Sequence, residues 1–382
     1  MENVATGNDS DEMTTLISNY ITANLNYIYR VNGNGSYTSK YLMTLAKFNK
    51  LNNKILGKNH ELAGYTFFTR PTLNLQEPSL KMDRIMLPLN TLDPGSIAFS
   101  IRCYLDSMFT NGVFTTKNSM ENRGFARQCP FFNENSAFII PMSNLLSTIS
   151  GFPDPSIDTE TSDPGHYNED QTIAIGSDFG NRTYDISIEF HEIQGGYIFG
   201  LLYYWMRYIS LVTRGITTPY PYMISNRILD YTCSIYRFIL DPSRRYITKW
   251  AKLTGCFPVN MNIGSMFNIS DGEHYLHSTE NVSVNFKVNH VEYMDPIILK
   301  EFNVITKRYF PNIDSQIKTT VSLENNFTGV PYIDTDSGLN QIYFMAYPEE
   351  LENTEEQELQ TATQKLRDFQ NNQSNMSRLN NL

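Results

Sequence analysis

The clearest alternation of apolar and polar positions runs over Tyr184–Phe190, where every second residue is apolar. A period of two predicts a strand with one buried face. Residues 194–196 (Gln-Gly-Gly) then interrupt the chain before an almost continuous apolar run, Tyr197–Thr213, which has no proline and is followed by Gly215. That run predicts a helix with a glycine at its C-terminal end. A helix so apolar needs a sheet or a partner to cover it.

Patterns elsewhere in the chain predict further elements. The apolar spacing predicts helices over 13–31, 38–56, 97–108 and 295–309, and strands over 64–75, 228–240, 246–250 and 281–288. The last helix has the strongest start signal, because Asp295 is a good N-cap and Pro296 suits the first helical position. A turn is predicted over 241–244. The segments 255–270 and 311–346 are predicted to be irregular.

A long polar connection, residues 153–180, precedes the alternating strand. Between Asp154 and Asp178 the chain has seven acidic residues and no lysine or arginine. We expect a long acidic loop here, and loops of this length inside a compact domain are usually functional or mobile. Asp158, Glu160 and Asp163 are therefore candidate interface residues, at a domain seam or on an arm that reaches a neighbour.

Composition limits the class of protein. The 382 residues suffice for one large or two ordinary domains. Hydrophobic residues make up 41% of the chain and aromatic residues 13%, which suits β-rich structure and protein interfaces. A net charge of −10 argues against general nucleic-acid binding.

Charge also divides the chain into three predicted parts. These are an N-terminal helical region (1–62), a β-rich core domain (63–345) and an acidic, polar C-terminal tail (346–382). Residues 13–60 contain no acidic residue, so the lysines of the second helix are either a solvated face or a docking surface for an acidic partner. The interface candidates in these outer parts are Lys47, Lys50 and Lys54 in the first and Glu352 and Glu355 in the last.

Cysteine usage and apolar runs indicate the compartment. Four well-separated cysteines without a CxxC pair predict reduced thiols in a protein made in cytoplasm. The first ten residues have neither a basic region nor an apolar run, so we expect no signal peptide. Residues 196–213 are the one stretch that could be mistaken for a membrane span, but Arg207 lies inside it and the flanks are polar. We therefore expect no membrane insertion.

A search for reaction chemistry finds no catalytic, cofactor-binding or metal-binding constellation. His274 and His277 are three residues apart without a third ligand nearby, and His191 lacks a second histidine four residues on. The chain has no phosphate-binding glycine loop and no nucleophile elbow. The enzyme alternative is a hydrolase-like site near the acidic segment 154–178 and His166, which would require a deep pocket containing carboxylates of raised pKa.

Five short segments resemble the virion structural proteins of large tailed bacteriophages. In chain order they are Gly64–Leu75, Ile149–Asp154, Tyr184–Ile188, Asp230–Arg237 and Leu240–Tyr246. The resemblance spans most of residues 64–310. It implies an α+β fold, namely an antiparallel β-sandwich or partial barrel of tail-tube type with packed helices, beside the N-terminal helical region.

The resemblance also implies a function in assembly. The chain would be a tail tube, tube-initiator or baseplate component of the virion, assembled in the host cytoplasm with itself, as a hexameric or trimeric ring, and with other tail proteins. A neck or tail-terminator protein is an alternative within the virion, and a non-phage binding module is an alternative outside it. In a tube, lumen surfaces are expected to be acidic or neutral, so that DNA passes nearby without sequence-specific binding.

Overall fold

The computed structural model describes residues 63–111, 124–178, 182–241, 244, 246–267, 281–310, 330–335, 340–345 and 363–364. The predicted helices over 13–31 and 38–56, with Lys47, Lys50 and Lys54, lie outside these residues. So do His274, His277 and the tail residues Glu352 and Glu355.

The chain divides into two compact units. The smaller comprises Met1–Gly64, Ile239–Lys249 and Gln316–Leu382, and the larger comprises Tyr65–Phe238 and Trp250–Ser315. The smaller unit contains a two-stranded antiparallel sheet. Tyr332 in this sheet also forms a β-bridge with Tyr246. The prediction of an irregular segment over 311–346 is therefore wrong where these two strands lie.

The strands and helices are as follows. The strands are β1 (Ala63–Phe68), β2 (Leu146–Ser150), β3 (Ser156–Thr161), β4 (Thr172–Asp178), β5 (Tyr184–His191), β6 (Cys233–Leu240), β7 (Ile247–Met261), β8 (Asn281–Val288), β9 (His290–Tyr293), β10 (Val330–Asp334) and β11 (Gln341–Met345). The helices are α1 (Glu77–Leu80), α2 (Ile97–Leu105), α3 (Ser107–Asn111), α4 (Ile140–Asn144), α5 (Tyr197–Thr213), α6 (Pro221–Ser225) and α7 (Pro296–Tyr309), with 3₁₀ turns at Leu87–Asn90 and Ile263–Phe267.

A seven-stranded sheet dominates the described structure. Its order is β1-β6-β7-β8-β5-β2, with β9 paired to β7. Strand β5 confirms the predicted alternation, because Ile186, Ile188 and Phe190 are fully buried while Asp185 and Ser187 are exposed. It pairs with β8 along its whole length, antiparallel and without a register shift.

Strand β7 corrects the prediction of an irregular chain over 255–270. It continues to Met261 because a bend, rather than a break, occurs at Gly255, whose φ is +68°. The residues before the bend pair with β9 and those after it pair with β8. A register shift at Pro258 accommodates the proline within the ladder.

The seven-stranded sheet is curled. Strand β1 stands four places from β5 in the sheet order, which in a flat sheet would separate them by about 19 Å. Yet the ring of Phe68 on β1 lies 5.8 Å from that of Phe190 on β5 and 6.4 Å from that of Phe286 on β8. The described strands do not form a closed barrel, because the order ends at β1 and β2.

Helix α5 packs into the core of the larger unit, as its apolar sequence predicts. Leu201, Leu202 and Trp205 are fully buried there, and the Trp205 indole donates to the Tyr231 carbonyl (2.9 Å). The helix ends as predicted before Gly215, whose φ is +70°.

Two other predicted boundaries are adjusted, and one is confirmed. The strand predicted over 228–240 begins at Cys233, after Arg227 takes a positive φ of 55°. The helix predicted over 97–108 ends at Leu105, because Asp106 leaves helical geometry and accepts hydrogen bonds from the amides of Met108 and Phe109 at the start of α3. Helix α7 is capped by Asp295, as predicted.

Candidate assembly interface

The acidic segment predicted as a loop over 153–180 is a β-hairpin instead. Strands β3 and β4 pair antiparallel, from Ser156 opposite Asp178 to Thr161 opposite Thr172. We call residues 156–178 the acidic ribbon. The sequence does not predict these two strands, because the segment lacks the apolar alternation of a half-buried strand. Pairing between the two backbones holds the segment extended.

The two faces of the acidic ribbon differ. Asp158 and Glu160 are two residues apart and share one face, and Ile173 is the cross-strand partner of Glu160 on that face. The other face carries Ile157 and Thr159, and beyond them Thr161 and Thr172, whose hydroxyls are 3.0 Å apart. The interface candidates Asp158 and Glu160 are therefore brought together, beside an apolar side chain.

Apolar side chains of the ribbon project into solvent. Ile157 is 60% exposed, Ile173 53% and Ile175 60%. A two-stranded hairpin without a packed face is marginally stable by itself in water. Strand edges without a neighbour also offer backbone groups for pairing with another chain. These features make the ribbon a candidate contact surface.

The ribbon is held by few contacts beyond its own ladder. Arg182 and the Asp158 carboxylate are 3.5 Å apart, and both side chains are more than half exposed, so the ion pair contributes little. In the connecting turn, the Tyr167 amide donates to the Glu169 carboxylate (2.7 Å). Asp163 lies exposed at the start of this turn, so all three candidate acids of the ribbon face solvent.

The geometry does not suit the hydrolase alternative. His166 is exposed, and its ring contacts that of Tyr167. Over the part of the chain that the structure describes, no group of three or more histidine, cysteine or acidic side chains is arranged to hold a metal ion.

Buried carboxylates lie elsewhere, and sequence reasoning missed them. Asp106 is fully buried and accepts hydrogen bonds from the Tyr220 hydroxyl at 2.9 and 3.0 Å. Burial raises the pKa of Asp106 to about 6, although the hydroxyl of Tyr220 and the charge of Arg102 oppose the rise. Asp230 is also buried, and burial raises its pKa although the Tyr208 hydroxyl donates to it.

A buried arginine completes these internal contacts. The Arg70 guanidinium donates to the Cys103 carbonyl (2.6 Å) and to the Thr110 hydroxyl (2.9 Å). It also stacks on the rings of Phe132 and Tyr309, at 5.0 and 4.9 Å. These partners belong to segments far apart in the sequence, so Arg70 connects parts of the larger unit rather than holding a reacting group.

All four cysteines are unpaired and buried, as predicted for reduced thiols. Burial and the neighbouring Cys256 thiol raise the pKa of Cys233. Within the described ranges, no helix has both the length and the apolarity needed to cross a membrane.

Fold and site together define a mixed helical and antiparallel-sheet protein whose exposed acidic ribbon is suited to association. The family model described as "Putative phage tail tube protein" matches residues 5–343. The chain therefore belongs to the phage tail tube protein family. It is a structural component of the virion and not an enzyme. This confirms the predicted phage virion class, and the hydrolase and non-phage alternatives are wrong.

Several solved structures are similar to part of this chain. The anti-feeding prophage cap (AFP tube terminating cap) is 12% identical, with 39% of this chain and 79% of that chain covered and a TM-score of 0.26. The PVC sheath-tube complex of an extracellular contractile injection system is 11% identical, with 39% and 80% covered and a TM-score of 0.25. Hcp1 from Flavobacterium johnsoniae is 12% identical, with 39% and 94% covered and a TM-score of 0.17. No curated protein matches the chain in sequence.

Proposed function

We propose that this chain is the repeating subunit of a phage tail tube and that copies associate through the acidic ribbon into rings. The observation that carries the proposal is the exposure of the ribbon, in which Ile157, Ile173 and Ile175 are each more than half exposed. Covering them in a neighbouring subunit removes apolar surface from water, which favours association by about 25 cal/mol per Å². The ribbon also gains packing that a lone hairpin lacks.

The curled sheet supports the finer fold, a sandwich or partial barrel of tail-tube type. Ring contacts of Phe68 with Phe190 and Phe286 join strands that are distant in the sheet order. A rigid curled sheet can present different surfaces to neighbours on either side, and repeated contacts of that kind close into a ring when the rotation permits. We propose a ring of six or three copies.

We propose that successive rings stack through the N-terminal and C-terminal segments of the chain. Lys47, Lys50 and Lys54 lie in a stretch without acidic residues, whereas Glu352 and Glu355 lie in a strongly acidic one. Opposite charges at the two ends suit head-to-tail contact between successive rings. The net charge of −10 suits a lumen through which DNA passes without adhering.

Imaging of the purified full chain tests the proposal. We expect native mass spectrometry and light scattering to show ring-sized oligomers, and negative-stain images to show rings that stack into tubes. Rings that never elongate would instead indicate a tube initiator, a terminator, a neck protein or a baseplate component. A protein that stays monomeric at all concentrations would contradict the proposal.

A matched pair of variants isolates the ribbon. In Ile157→Thr/Ile173→Thr the apolar surface is lost while a strand-forming residue is retained, so we expect assembly to weaken at least about tenfold. The control is Ile297→Thr, at a side chain on α7 that is 59% exposed, and it should assemble like the unmodified protein. Equal assembly of ribbon and control variants would exclude the ribbon as the interface.

A further inference from the structure

A second exposed apolar surface lies just after helix α5. It comprises Arg214, Ile216, Ile224, Arg227, Ile228 and Leu229, which we call the 214–229 surface. Its four aliphatic side chains are between 45% and 56% exposed. Single exposed aliphatic residues are common, but here four lie within one short segment of the chain.

Hydrogen bonds hold the two ends of this segment close together. The Asn74 side chain donates to the Thr218 carbonyl (2.9 Å), and the Asn74 amide donates to the Tyr208 hydroxyl (3.0 Å). The same hydroxyl donates to Asp230, which follows Leu229 in the chain. Thr218 and Asp230 are thus held close together through Asn74 and Tyr208, and Ile224, Arg227, Ile228 and Leu229 are exposed on the loop between them, while Arg214 and Ile216 directly precede it.

The 214–229 surface has a charge opposite to that of the acidic ribbon. Residues 193–229 contain three arginines and no acidic residue or lysine. Arg207 pairs within the chain with Asp83 at 2.5 Å. Arg214 and Arg227 are exposed and are absent from the ion pairs found among the described residues. The surface therefore presents two arginines around an aliphatic centre.

We infer that the 214–229 surface receives the acidic ribbon of a second copy of this chain. Both surfaces combine exposed aliphatic residues with charge, and their charges are opposite: Asp158 and Glu160 on the ribbon, Arg214 and Arg227 on the receiving surface. Because ribbon and receiving surface are different parts of the chain, the contact can repeat head-to-tail from subunit to subunit, as a ring requires. This inference rests on the proposed function and names the partner of the ribbon.

Charge reversal on each side provides the test. The ribbon variant is Asp158→Lys/Glu160→Lys and the surface variant is Arg214→Glu/Arg227→Glu, both in the full chain. Each variant places like charges across the contact, so we expect each alone to assemble at least about tenfold more weakly. In a mixture the lysine-bearing ribbon meets the glutamate-bearing surface, and the acidic ribbon meets the arginine-bearing one. Light scattering should therefore show assembly restored on mixing.

The controls separate this inference from the proposed function. Lys300→Glu makes a similar charge reversal at an exposed position of α7 and should assemble normally, and circular dichroism should show all variants folded. If the ribbon variant fails while the surface variant assembles normally, or if mixing restores nothing, the receiving surface is elsewhere and this inference is overturned. The proposed function would survive that result. It fails, and the inference with it, if the unmodified chain does not assemble.

Discussion

At the scale of the residue, Asp106 shows how a buried charge can remain in a structural protein. Its carboxylate is fully buried but accepts hydrogen bonds from the Tyr220 hydroxyl and from the amides of Met108 and Phe109. These donors stabilise the ionised form, and burial opposes it more strongly, so the pKa of Asp106 rises from its ordinary value of 3.8 to about 6. The folded state therefore holds this proton more tightly than the unfolded state does.

The sign of the pH dependence follows from that difference. Between pH 4 and pH 6 the folded state binds more protons at Asp106, so this residue's contribution to stability falls as the pH rises through that window. A pKa raised from 3.8 to about 6 corresponds to about 3 kcal/mol. The Asp106→Asn variant lacks this titrating group. The difference in free energy of unfolding between the unmodified protein and the variant should therefore change by up to about 3 kcal/mol between pH 4 and pH 7. Urea unfolding of both proteins at pH 4 and pH 7 measures this change. If the free energy of unfolding depended on pH in the same way in both proteins, the raised pKa of Asp106 would be contradicted.

At the scale of the element, helix α5 depends on a residue outside it. The Glu192 carboxylate accepts hydrogen bonds from the amides of Ile198 (3.1 Å) and Phe199 (2.7 Å). These amides lie in the first turn, where a helix has no internal acceptor for them, and the negative charge also suits the helix dipole. We expect Glu192→Ala to lower the free energy of unfolding by about 1–2 kcal/mol, and Glu192→Gln to lower it less. Denaturant unfolding of both variants measures the difference, and an equal loss in both would argue against a role for the charge.

Strand β5 and helix α5 could be predicted from the sequence because their signals are local. Alternation over Tyr184–Phe190 and an apolar run ended by Gly215 each specify a structure within a few residues of chain. The continuation of β7 could not be predicted, because Gly255 and Pro258 usually end strands and the pairing that overrides them comes from β8 and β9.

The structure of the candidate interface could be predicted only in part, and its role stays a prediction. A net acidic charge without lysine or arginine identified Asp158, Glu160 and Asp163 as candidates, but the chain between them reads as a loop. The buried contact between Asp106 and Tyr220 could not be predicted for a different reason. The two residues are 114 positions apart in the sequence, and only the tertiary fold brings them together. The roles of Lys47, Lys50, Lys54, Glu352 and Glu355 stay predictions.

At the scale of the whole molecule, rigid and exposed parts of the larger unit differ in how they are stabilised. The pairing of β5 with β8 lies over a core that contains Ile188, Val284 and Phe286. The acidic ribbon has a comparable ladder, but among its residues 156–176, whose exposure the structure describes, no side chain is buried to support it. Local opening therefore costs much less in the ribbon than in the central strands.

Hydrogen exchange should show this difference and its loss on assembly. In the unassembled protein, amides of the ribbon should exchange faster than those of β5 and β8 by at least about a hundredfold, because opening the ribbon uncovers no core. In the assembled protein a covering subunit makes opening of the ribbon costly, so its exchange should slow while that of β5 changes little. Exchange measured by mass spectrometry on both forms provides the comparison. Rapid exchange of the ribbon in intact rings or tubes would show that it projects freely from them, and subunits would then be joined through another surface.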